Sequence, residues 1–268
     1  MGFQPKLPGP DSSARVRMQK FVRHFVIPLA KNRGWKKLCE IGALTGQSTD
    51  EILKLPNISH TIIDPCFDAD LALKYAADAR VMVQKGNSLN VLPRLTDTYD
   101  CLIIDGDHNW YTVINELDQI RQRALLRPGG VIFFHDVEWP YARRDMYYQP
   151  ETIPHEYRQE YERRGIIRGR SELADTGGTN SEYCNAVREG GPRNGVLQAI
   201  EDFIAKHPSD YRFCRVKLQR GLGILQYRQK RLSDDIRFLS IQFKAWLYSL
   251  YRLRHHCYPG FLFPPKKY

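Results

Sequence analysis

The sequence predicts an α/β fold with a doubly wound, mostly parallel sheet that ends in an antiparallel hairpin. Unbroken apolar runs alternate with helical segments: "KKLCEIG", "SHTIIDP", "RVMVQKG", "YDCLIIDGD" and "GVIFFHD". Apolar strands that alternate with helices indicate a parallel sheet covered on both faces. Two later runs, "YRFCRVKL" and "LGILQYR", are joined by "QRG", and a glycine turn between two apolar runs is typical of a hairpin. The arrangement is Rossmann-like.

Helical patterns separate these strands. They are "STDEILKL", with Ser48 or Thr49 as the expected N-cap, "ADLALKYAADA", the short turn "NVLPRL", "WYTVINELDQIRQRALL" closed by "RPGG", and "GVLQAIEDFIAKH". A basic amphipathic helix with Val16, Phe21, Val22, Phe25 and Val26 on its apolar face precedes the first strand.

The pattern divides the chain into five parts. Residues 1–37 hold a leader, disordered over 1–12, and the basic helix. Residues 38–137 are the core and 194–230 its last helix and hairpin. Between them, 138–193 is an insertion rich in Tyr, Pro, Arg and Gly. Because it leaves the fifth strand, we expect it at the active-site end of the sheet, as a substrate loop or as an arm that packs on a second subunit.

Residues 231–268 contain a C-terminal helix and a tail. Over 233–252, an apolar stripe at three-four spacing comprises Ile236, Leu239, Phe243, Trp246, Leu247 and Leu250. Such a stripe predicts packing against the same protein or a second copy, so a homo-oligomer through the terminal helices or the insertion is expected. Contact of this basic helix with a membrane surface is the alternative.

The charge is unevenly distributed. The 268 residues carry a net charge of +10, yet residues 11–37 hold eight Lys or Arg against Asp11, and residues 212–268 hold thirteen against Asp234 and Asp235. The middle of the chain is therefore net acidic. A nucleic-acid enzyme more usually has its basic surface around the site, so a nucleic-acid partner is not expected.

Targeting and redox signals are absent from the sequence. No apolar run is long enough to span a membrane, and the start "MGFQPKLPGP" lacks the apolar region of a secretory signal. The six cysteines have no C-x-x-C spacing, and Cys39 and Cys101 fall within apolar strands. These features predict a cytoplasmic protein with reduced thiols.

The first motif, "CEIGALTGQS", follows the first strand. Glu40 ends the strand, Gly42 and Gly46 form the turn, and Ala43 and Ser48 lie within and just after it. Glycines let the backbone approach a ligand closely. A dinucleotide would bring phosphates to this turn and would not favour a carboxylate beside it, so Glu40 indicates a ligand with a cationic part, such as an amino group or a sulfonium.

Polar residues also follow the next two strands. Asp64 ends the second strand, where an acid can accept both hydrogens of a ribose diol. Asn87 and Ser88 follow the third and suit the edge of an adenine ring, while Asn87 or Ser88 also suits a helix N-cap. Together with the first motif, these residues predict a site for a nucleoside with a positively charged tail, which describes S-adenosylmethionine.

At this point the sequence resembles the class I S-adenosylmethionine-dependent methyltransferases, and within them the branch of metal-dependent sugar and phenol O-methyltransferases. The resemblance rests on "EIG", "GNSLNVLP", "DGDHNWY" and "RPGG…HD" in that order, and it covers about residues 38–136. Leu44 stands where many relatives have a third glycine, and Asn87 replaces a more usual acid. The implied cofactor residues are Glu40, Gly42, Ala43, Gly46, Ser48, Asp64, Asn87, Ser88 and Asp105.

A metal site is predicted at the ends of the fourth and fifth strands, which neighbour each other in this fold. Asp105 ends the fourth strand and His135-Asp136 ends the fifth. Two carboxylates suit Mg²⁺, and with His135 as a softer ligand Mn²⁺ or Fe²⁺ would also bind. Relatives have acids at these strand ends, so His135 departs from their pattern.

The resemblance implies that a substrate hydroxyl attacks the methyl group after losing its proton. His108, three residues past Asp105, is of the residue type that most often serves as a general base, and it occupies the offset at which relatives have a basic residue. With Asp105 it forms the predicted catalytic pair. A capped turn that opens the helix at Asn109 is the alternative for this stretch, and it explains Asp107.

The predicted function is O-methylation of a small-molecule hydroxyl, in a natural product, a sugar or a phenol. An RNA methyltransferase, favoured by the net charge, is one alternative. A binding or assembly protein that keeps the cofactor fold without turnover is another. The acidic middle of the chain argues against the first, and the intact set of Glu40, Asp64, Asp105 and His108 argues against the second.

Overall fold

The computed structural model describes residues 17–66, 69–229 and 231–255, so the predicted leader, Val16 and the tail beyond residue 255 lie outside the described residues. Its main sheet has seven strands in the order β3-β2-β1-β4-β5-β10-β9. They are β1 Lys37–Ile41, β2 Ser59–Asp64, β3 Val81–Lys85, β4 Tyr99–Ile104, β5 Leu126–His135, β9 Tyr211–Val216 and β10 Leu222–Tyr227.

The strand pairing confirms the predicted fold class. β1, β2, β3, β4 and β5 pair in parallel, and β10 pairs antiparallel with both β5 and β9. The chain runs from β1 outward through β2 to β3, and then returns to place β4 on the other side of β1. Such a switch point leaves a crevice at the carboxyl ends of the strands, where open α/β sheets bind their ligands.

Helices cover both faces of the sheet. The N-terminal helix consists of α1 Met18–Phe21, a π-helical turn Val22–Val26 and α2 Ile27–Arg33. The others are α3 Gln47–Ile52, α4 Ala69–Ala76, α5 Ser88–Val91 with a 3₁₀ turn Leu92–Arg94, α6 Trp110–Gln122, α7 Val196–Lys206 and α8 Leu232–His255. None of the helices in the described part of the chain combines the length and the apolar character needed to cross a membrane.

Two hydrophobic cores explain why the strands are apolar throughout. On one face, Leu102 and Ile104 of β4 pack with side chains of α6 and α7. On the other, Cys101 and Ile103 pack with the N-terminal helix and α8. Because successive strand residues point to opposite faces, both sets must be apolar. The predicted apolar face of the N-terminal helix is buried here at Phe21, Val22, Phe25 and Val26.

Two helix boundaries differ from their predictions. The N-cap of α3 is Gly46, so the prediction of Ser48 or Thr49 is wrong; the Thr49 hydroxyl instead donates to Glu40. α6 ends at Gln122, and "RPGG" lies within β5 rather than after the helix. Ala124, in the left-handed region with φ of 51°, turns the chain into the strand earlier than the apolar pattern indicates.

The C-terminal helix presents the opposite face from the one predicted to pack. Phe238, Ile241 and Ala245 of α8 are buried against the sheet and the N-terminal helix. The predicted stripe from Ile236 to Leu250 is exposed. Packing of the stripe against this chain is therefore a wrong prediction for the described residues, and α8 is apolar on two faces.

The insertion folds onto the carboxyl edge of the sheet around a small antiparallel sheet of β6 Met146–Tyr147, β8 Cys184–Ala186 and β7 Tyr161–Glu162. The buried side chain of Asp145 fastens it to the core. Its Oδ1 accepts hydrogen bonds from the backbone N–H of Trp110 (2.7 Å) and of Gly195 (2.6 Å), and its Oδ2 accepts one from the Tyr147 hydroxyl (2.8 Å). Burial raises the pKa of Asp145 to about 7, against the lowering effect of these three donors.

The Asp145→Ala variant is expected to lose about 3–5 kcal/mol of unfolding free energy, since it leaves three buried donors without an acceptor. Asp145→Asn is the matched control, because it keeps the Oδ1 acceptor that serves both backbone groups, and we expect it to cost clearly less. Urea unfolding followed by circular dichroism measures both. Equal losses in the two variants would contradict this role of Oδ1.

Candidate active site

Two adjoining cavities open at the carboxyl edge of the sheet. The Asp64 cavity, of about 330 Å³, is lined by residues that include Asp64, Asn87, Ser88 and Tyr147. The Arg220 cavity, of about 450 Å³, is lined by residues that include His108, His135 and Arg220. They form one cleft, because both are lined by Gly42, Leu44, Asp105, Tyr148 and Tyr183.

The glycine turn after β1 forms the floor between the two cavities. Gly42 has φ of 87°, and a Cβ there would lie 2.3 Å from the carbonyl oxygen of Asp105. Only glycine permits this close approach of two backbone segments. Ala43 and Ser48 line the Arg220 cavity, whereas Gly46 lines neither cavity and its carbonyl accepts from the Tyr75 hydroxyl.

Asp64, Asn87 and Ser88 meet in the Asp64 cavity, as their positions after neighbouring strands require. Asp64 is buried, and its two oxygens accept from the backbone N–H groups of Leu44 and Cys66, each at 2.7 Å. Burial raises the pKa of Asp64 against the lowering effect of these bonds. Asn87 is the N-cap residue of α5, although its side chain makes no capping hydrogen bond.

Glu40 lies outside the cleft. It is 1% exposed, and its Oε2 accepts from the Thr49 hydroxyl at 2.6 Å and lies 3.0 Å from Nε2 of His60. Within β1, alternate side chains point to opposite faces, and that of Glu40 points to the face that carries Thr49 and His60. The structure therefore places this predicted cofactor residue behind the glycine turn, among side chains that hold α3 to β2.

Four charged or titratable side chains meet at the ends of β4 and β5. Nδ1 of His135 lies 3.0 Å from Oδ1 of Asp105 and 2.8 Å from Oδ2 of Asp136. Nε2 of His108 lies 2.8 Å from the same Oδ2 of Asp136 and 3.9 Å from Oδ1 of Asp105. One donor atom each from Asp105, His135 and Asp136 lies within 4.8 Å of the other two. The sequence-predicted set is thus assembled in one place.

Arg220 completes this cluster and was not predicted. It lies in the turn between β9 and β10, with φ of 66°, and one of its terminal nitrogens lies 3.1 and 3.2 Å from the two oxygens of Asp136. The predicted hairpin is the sequence feature that could have indicated the position of Arg220. Since β10 pairs Leu222 with His135, the preceding turn must lie beside Asp136.

The charges in the cluster are strongly coupled. Burial alone would raise the pKa of Asp136, but Arg220, His135 and His108 hold it well below its usual range. Burial would likewise lower the pKa of His135, yet Asp105 and Asp136 raise it to about 10. Asp136 therefore stays ionised as the central acceptor.

Tyrosines of the insertion cover the cluster. The rings of Tyr141 and Tyr148 lie 5.2 and 6.0 Å from that of His108, and Tyr183 contacts Tyr148 edge-on at 5.5 Å. Other aromatic and basic residues of the insertion have structural contacts instead. Arg143 pairs with Glu201 of α7, and Arg144 is buried with its guanidinium on the carbonyls of Ala186 and Ser171.

The comparisons with known proteins agree with this fold. Residues 39–137 match the family model described as "Methyltransferase domain". No curated protein sequence matches the chain. The structure is similar to that of the methyltransferase PaMTH1 of Podospora anserina bound to S-adenosylhomocysteine, with a TM-score of 0.50 and 15% identity over 82% of this chain and 83% of that one.

Two O-methyltransferase structures are also similar. TomG of Streptomyces achromogenes, involved in tomaymycin synthesis and bound to S-adenosylmethionine, has a TM-score of 0.47 and 16% identity over 82% of this chain and 83% of that one. The Bacillus cereus enzyme, bound to S-adenosylhomocysteine, has a TM-score of 0.47 and 15% identity over 81% and 84%. Residues 39–137 therefore form a methyltransferase domain, and the chain has a fold similar to that of a methyltransferase bound to S-adenosylhomocysteine.

Proposed function

We propose that this enzyme methylates a hydroxyl group of a small molecule, with a divalent metal held by Asp105, His135 and Asp136 and with His108 as the base. One observation carries the proposal: these four side chains converge in the same cleft as the glycine turn and Asp64. An oxygen acceptor needs both a group that takes its proton and a cation that stabilises the oxyanion, and the cluster offers both.

In this proposal residues of both cavities would hold the cofactor. Asp64 would accept from the ribose hydroxyls, and Asn87 and Ser88, in the same cavity, would contact the adenine. Gly42, Ala43 and Ser48 would hold the methionine tail in the Arg220 cavity, which Asp105 and His108 also line. Glu40 and Gly46 support the turn from outside the cleft, as their contacts with Thr49 and Tyr75 indicate.

The donor set suits one divalent ion. Two carboxylate oxygens and one imidazole nitrogen within 4.8 Å of one another can all reach a single cation. The carboxylates favour Mg²⁺, and the nitrogen of His135 widens the choice to Mn²⁺ or Fe²⁺. When bound, such an ion lowers the pKa of a hydroxyl that approaches it.

His108 is oriented for proton transfer by Asp136. If Nε2 of His108 carries a proton, it donates to Oδ2 of Asp136, and Nδ1 holds the basic lone pair. Nδ1 is buried and has no hydrogen-bond partner among the described residues. An Asp–His pair of this kind fixes the tautomer of the base and stabilises the imidazolium that forms. Arg220 balances the charge of Asp136 from the other side.

The covered cleft supports a small acceptor. Tyr141, Tyr148 and Tyr183 of the insertion line the Arg220 cavity, whose volume of about 450 Å³ lies within the range of small-molecule sites. Aromatic walls with a few polar groups suit a phenol or a sugar ring. A nucleic-acid strand would instead need a basic channel, whereas the charges lining this cavity are mixed, with Asp105 and Glu182 beside Arg17 and Arg220.

Chelation tests the proposal. Enzyme treated with EDTA is expected to lose most of its methyl transfer from labelled S-adenosylmethionine to a panel of phenols, catechols and sugars, and added Mg²⁺ or Mn²⁺ should restore it. Mn²⁺ binding, followed by electron paramagnetic resonance, should weaken at least about tenfold in Asp105→Asn. Asp100→Asn is the control, because Asp100 lies at the opposite end of β4, where it accepts from the backbone of Lys36 and Lys37.

The metal and the hydroxyl acceptor would be contradicted by different results. Full activity in EDTA together with unchanged Mn²⁺ binding in Asp105→Asn would remove the metal. Products methylated only at nitrogen would overturn the assignment of a hydroxyl acceptor.

A further inference from the structure

The outer face of α8 carries a continuous apolar stripe. The α8 stripe consists of Leu232, Ile236, Leu239, Phe243, Trp246, Leu247, Leu250 and Tyr251, which are between 45% and 76% exposed. Elsewhere in the described residues, exposed large apolar side chains are scattered singly, as Leu44, Leu73, Met82 and Tyr161 are. Single exposed apolar residues are ordinary, but a contiguous patch usually marks an interaction surface.

The stripe is held in a fixed position. Phe238, Ile241 and Ala245 on the opposite side of α8 are buried in the core, so the stripe points directly away from the protein. Phe243 and Trp246 stack on each other, with ring centroids 5.8 Å apart. At a rise of about 1.5 Å per residue, the stripe is roughly 30 Å long.

The sequence within and after the stripe, from Ile236 onward, carries charge of one sign. After Asp235 the chain contains no Asp or Glu, whereas it contains Arg237, Lys244, Arg252, Arg254, Lys266 and Lys267. Asp235 itself pairs with Arg212. The basic side of α8 faces the N-terminal helix, where the Lys244 ammonium donates to the carbonyl of His24; the neighbouring Arg23 is exposed but pairs with Glu51. The surface therefore combines apolar side chains with positive charge.

This charge does not suit a second copy of the chain. In an antiparallel helix pair related by a twofold axis, each edge of a helix meets the same edge of its partner. The edge of α8 that carries Arg237 and Lys244 would then meet the same basic edge of the second copy. A parallel pair would bring them toward Asp235, which Arg212 already neutralises.

We propose that the α8 stripe docks the enzyme on the surface of an anionic membrane, with α8 lying in the plane of the interface. Trp246, Phe243 and Tyr251 are of the types that insert at the level of the headgroups, and the basic residues attract anionic lipids. The helix lies on the bilayer and does not cross it. This inference goes beyond the proposed function and is independent of the acceptor and of the metal.

Vesicle flotation of the full chain tests the proposal. The wild type should float with vesicles of phosphatidylcholine and phosphatidylserine but not with phosphatidylcholine alone, and added KCl should weaken binding. A Phe243→Ser/Trp246→Ser variant should bind at least about tenfold less tightly. Leu73→Ser/Met82→Ser is the matched control, since Leu73 and Met82 are exposed apolar side chains away from α8; it should float like the wild type.

Two further measurements separate the contribution of charge to vesicle binding from that of the insertion of apolar side chains. Arg237→Glu should reduce binding to the phosphatidylserine vesicles, because Arg237 is exposed on the basic side of α8. The fluorescence of Trp246 should shift to shorter wavelength on these vesicles, and the shift should be absent in Trp246→Phe. Cofactor binding should be the same in the α8 variants and the wild type, since α8 lines neither cavity of the active site.

The proposal would be overturned if the wild type did not float with either kind of vesicle. It would also be overturned if the Phe243→Ser/Trp246→Ser variant floated as well as the wild type. Equal binding to phosphatidylcholine alone would remove the role of anionic lipid. A dimer in sedimentation analysis that dissociates in the double variant, without vesicle binding by the wild type, would assign the stripe to a second copy.

Discussion

The Gly42→Ala variant is expected to lose most of its stability and its affinity for S-adenosylmethionine. The new Cβ would lie 2.3 Å from the carbonyl oxygen and 2.5 Å from the carbonyl carbon of Asp105, and 2.6 Å from Cα of Gly106. These are backbone atoms, so no rotamer change can make room. The variant must separate the β1 turn from the end of β4, at an expected cost of about 3 kcal/mol or more.

The same displacement moves Asp105 and the floor shared by the two cavities. We therefore expect the cofactor affinity to fall by more than the loss of one contact would cause, at least about 100-fold. Urea unfolding measures the stability, and calorimetry with S-adenosylhomocysteine measures the affinity.

Gly34→Ala is the control for the backbone strain alone. Gly34 also has a positive φ, of 63°, but beyond its chain neighbours no atom of the described residues lies within 4 Å of its added Cβ. This variant should lose only about 1–2 kcal/mol and bind the cofactor normally. If Gly42→Ala behaved like Gly34→Ala, close approach of the two backbones would not be the reason for glycine at residue 42.

The sheet could be predicted because the burial of each strand is visible in the sequence of that strand. Each strand is buried on both faces, so each appears as an apolar run, and the glycine turn between β9 and β10 reveals the hairpin. Family motifs along 38–136 agree with the same order. The boundary between α6 and β5 was less predictable, since the apolar run "ALL" continues from the end of the helix into the strand and the positive φ of Ala124 sets the change of direction.

The orientation of α8 could not be predicted from its sequence. The helix has one apolar face with Phe238 and Ile241 and another with Phe243 and Trp246. Helical periodicity detects both faces and does not say which is covered. The choice depends on tertiary contacts with β9 and the N-terminal helix, which no local pattern contains.

Site residues at the ends of parallel strands could be predicted from the sequence. Residues that directly follow parallel strands, such as Asp105, or end them, such as Asp64 and His135, reach the same edge of the sheet. Glu40 lies one residue further inside β1. Because side chains alternate along a strand, the side chain of Glu40 points to the face that carries Thr49 and His60. Arg220 comes from the hairpin, far along the sequence, and could be placed only once the register of β10 against β5 was known.

The His108→Gln variant is expected to lower kcat by about 10²–10⁴ while S-adenosylmethionine affinity stays nearly unchanged. Glutamine can still donate a hydrogen bond to Oδ2 of Asp136, so the charge arrangement with Arg220 persists. It has no basic nitrogen to take the place of Nδ1. His108 lines the Arg220 cavity and not the Asp64 cavity, which is why cofactor binding should survive. Single-turnover kinetics and cofactor calorimetry measure the two effects.

His60→Gln is the matched control, because His60 is also a buried histidine paired with a carboxylate but lies at Glu40, away from the cleft. It should lower stability and leave kcat within a few-fold of the wild type. A base role for His108 also predicts that free imidazole restores part of the activity of His108→Ala, since the added base can enter the space left by the ring. A purely structural His108 would give no such rescue, and its removal would lower the stability and the cofactor affinity together with kcat. Unchanged kcat in His108→Gln would place the base on another residue of the cleft.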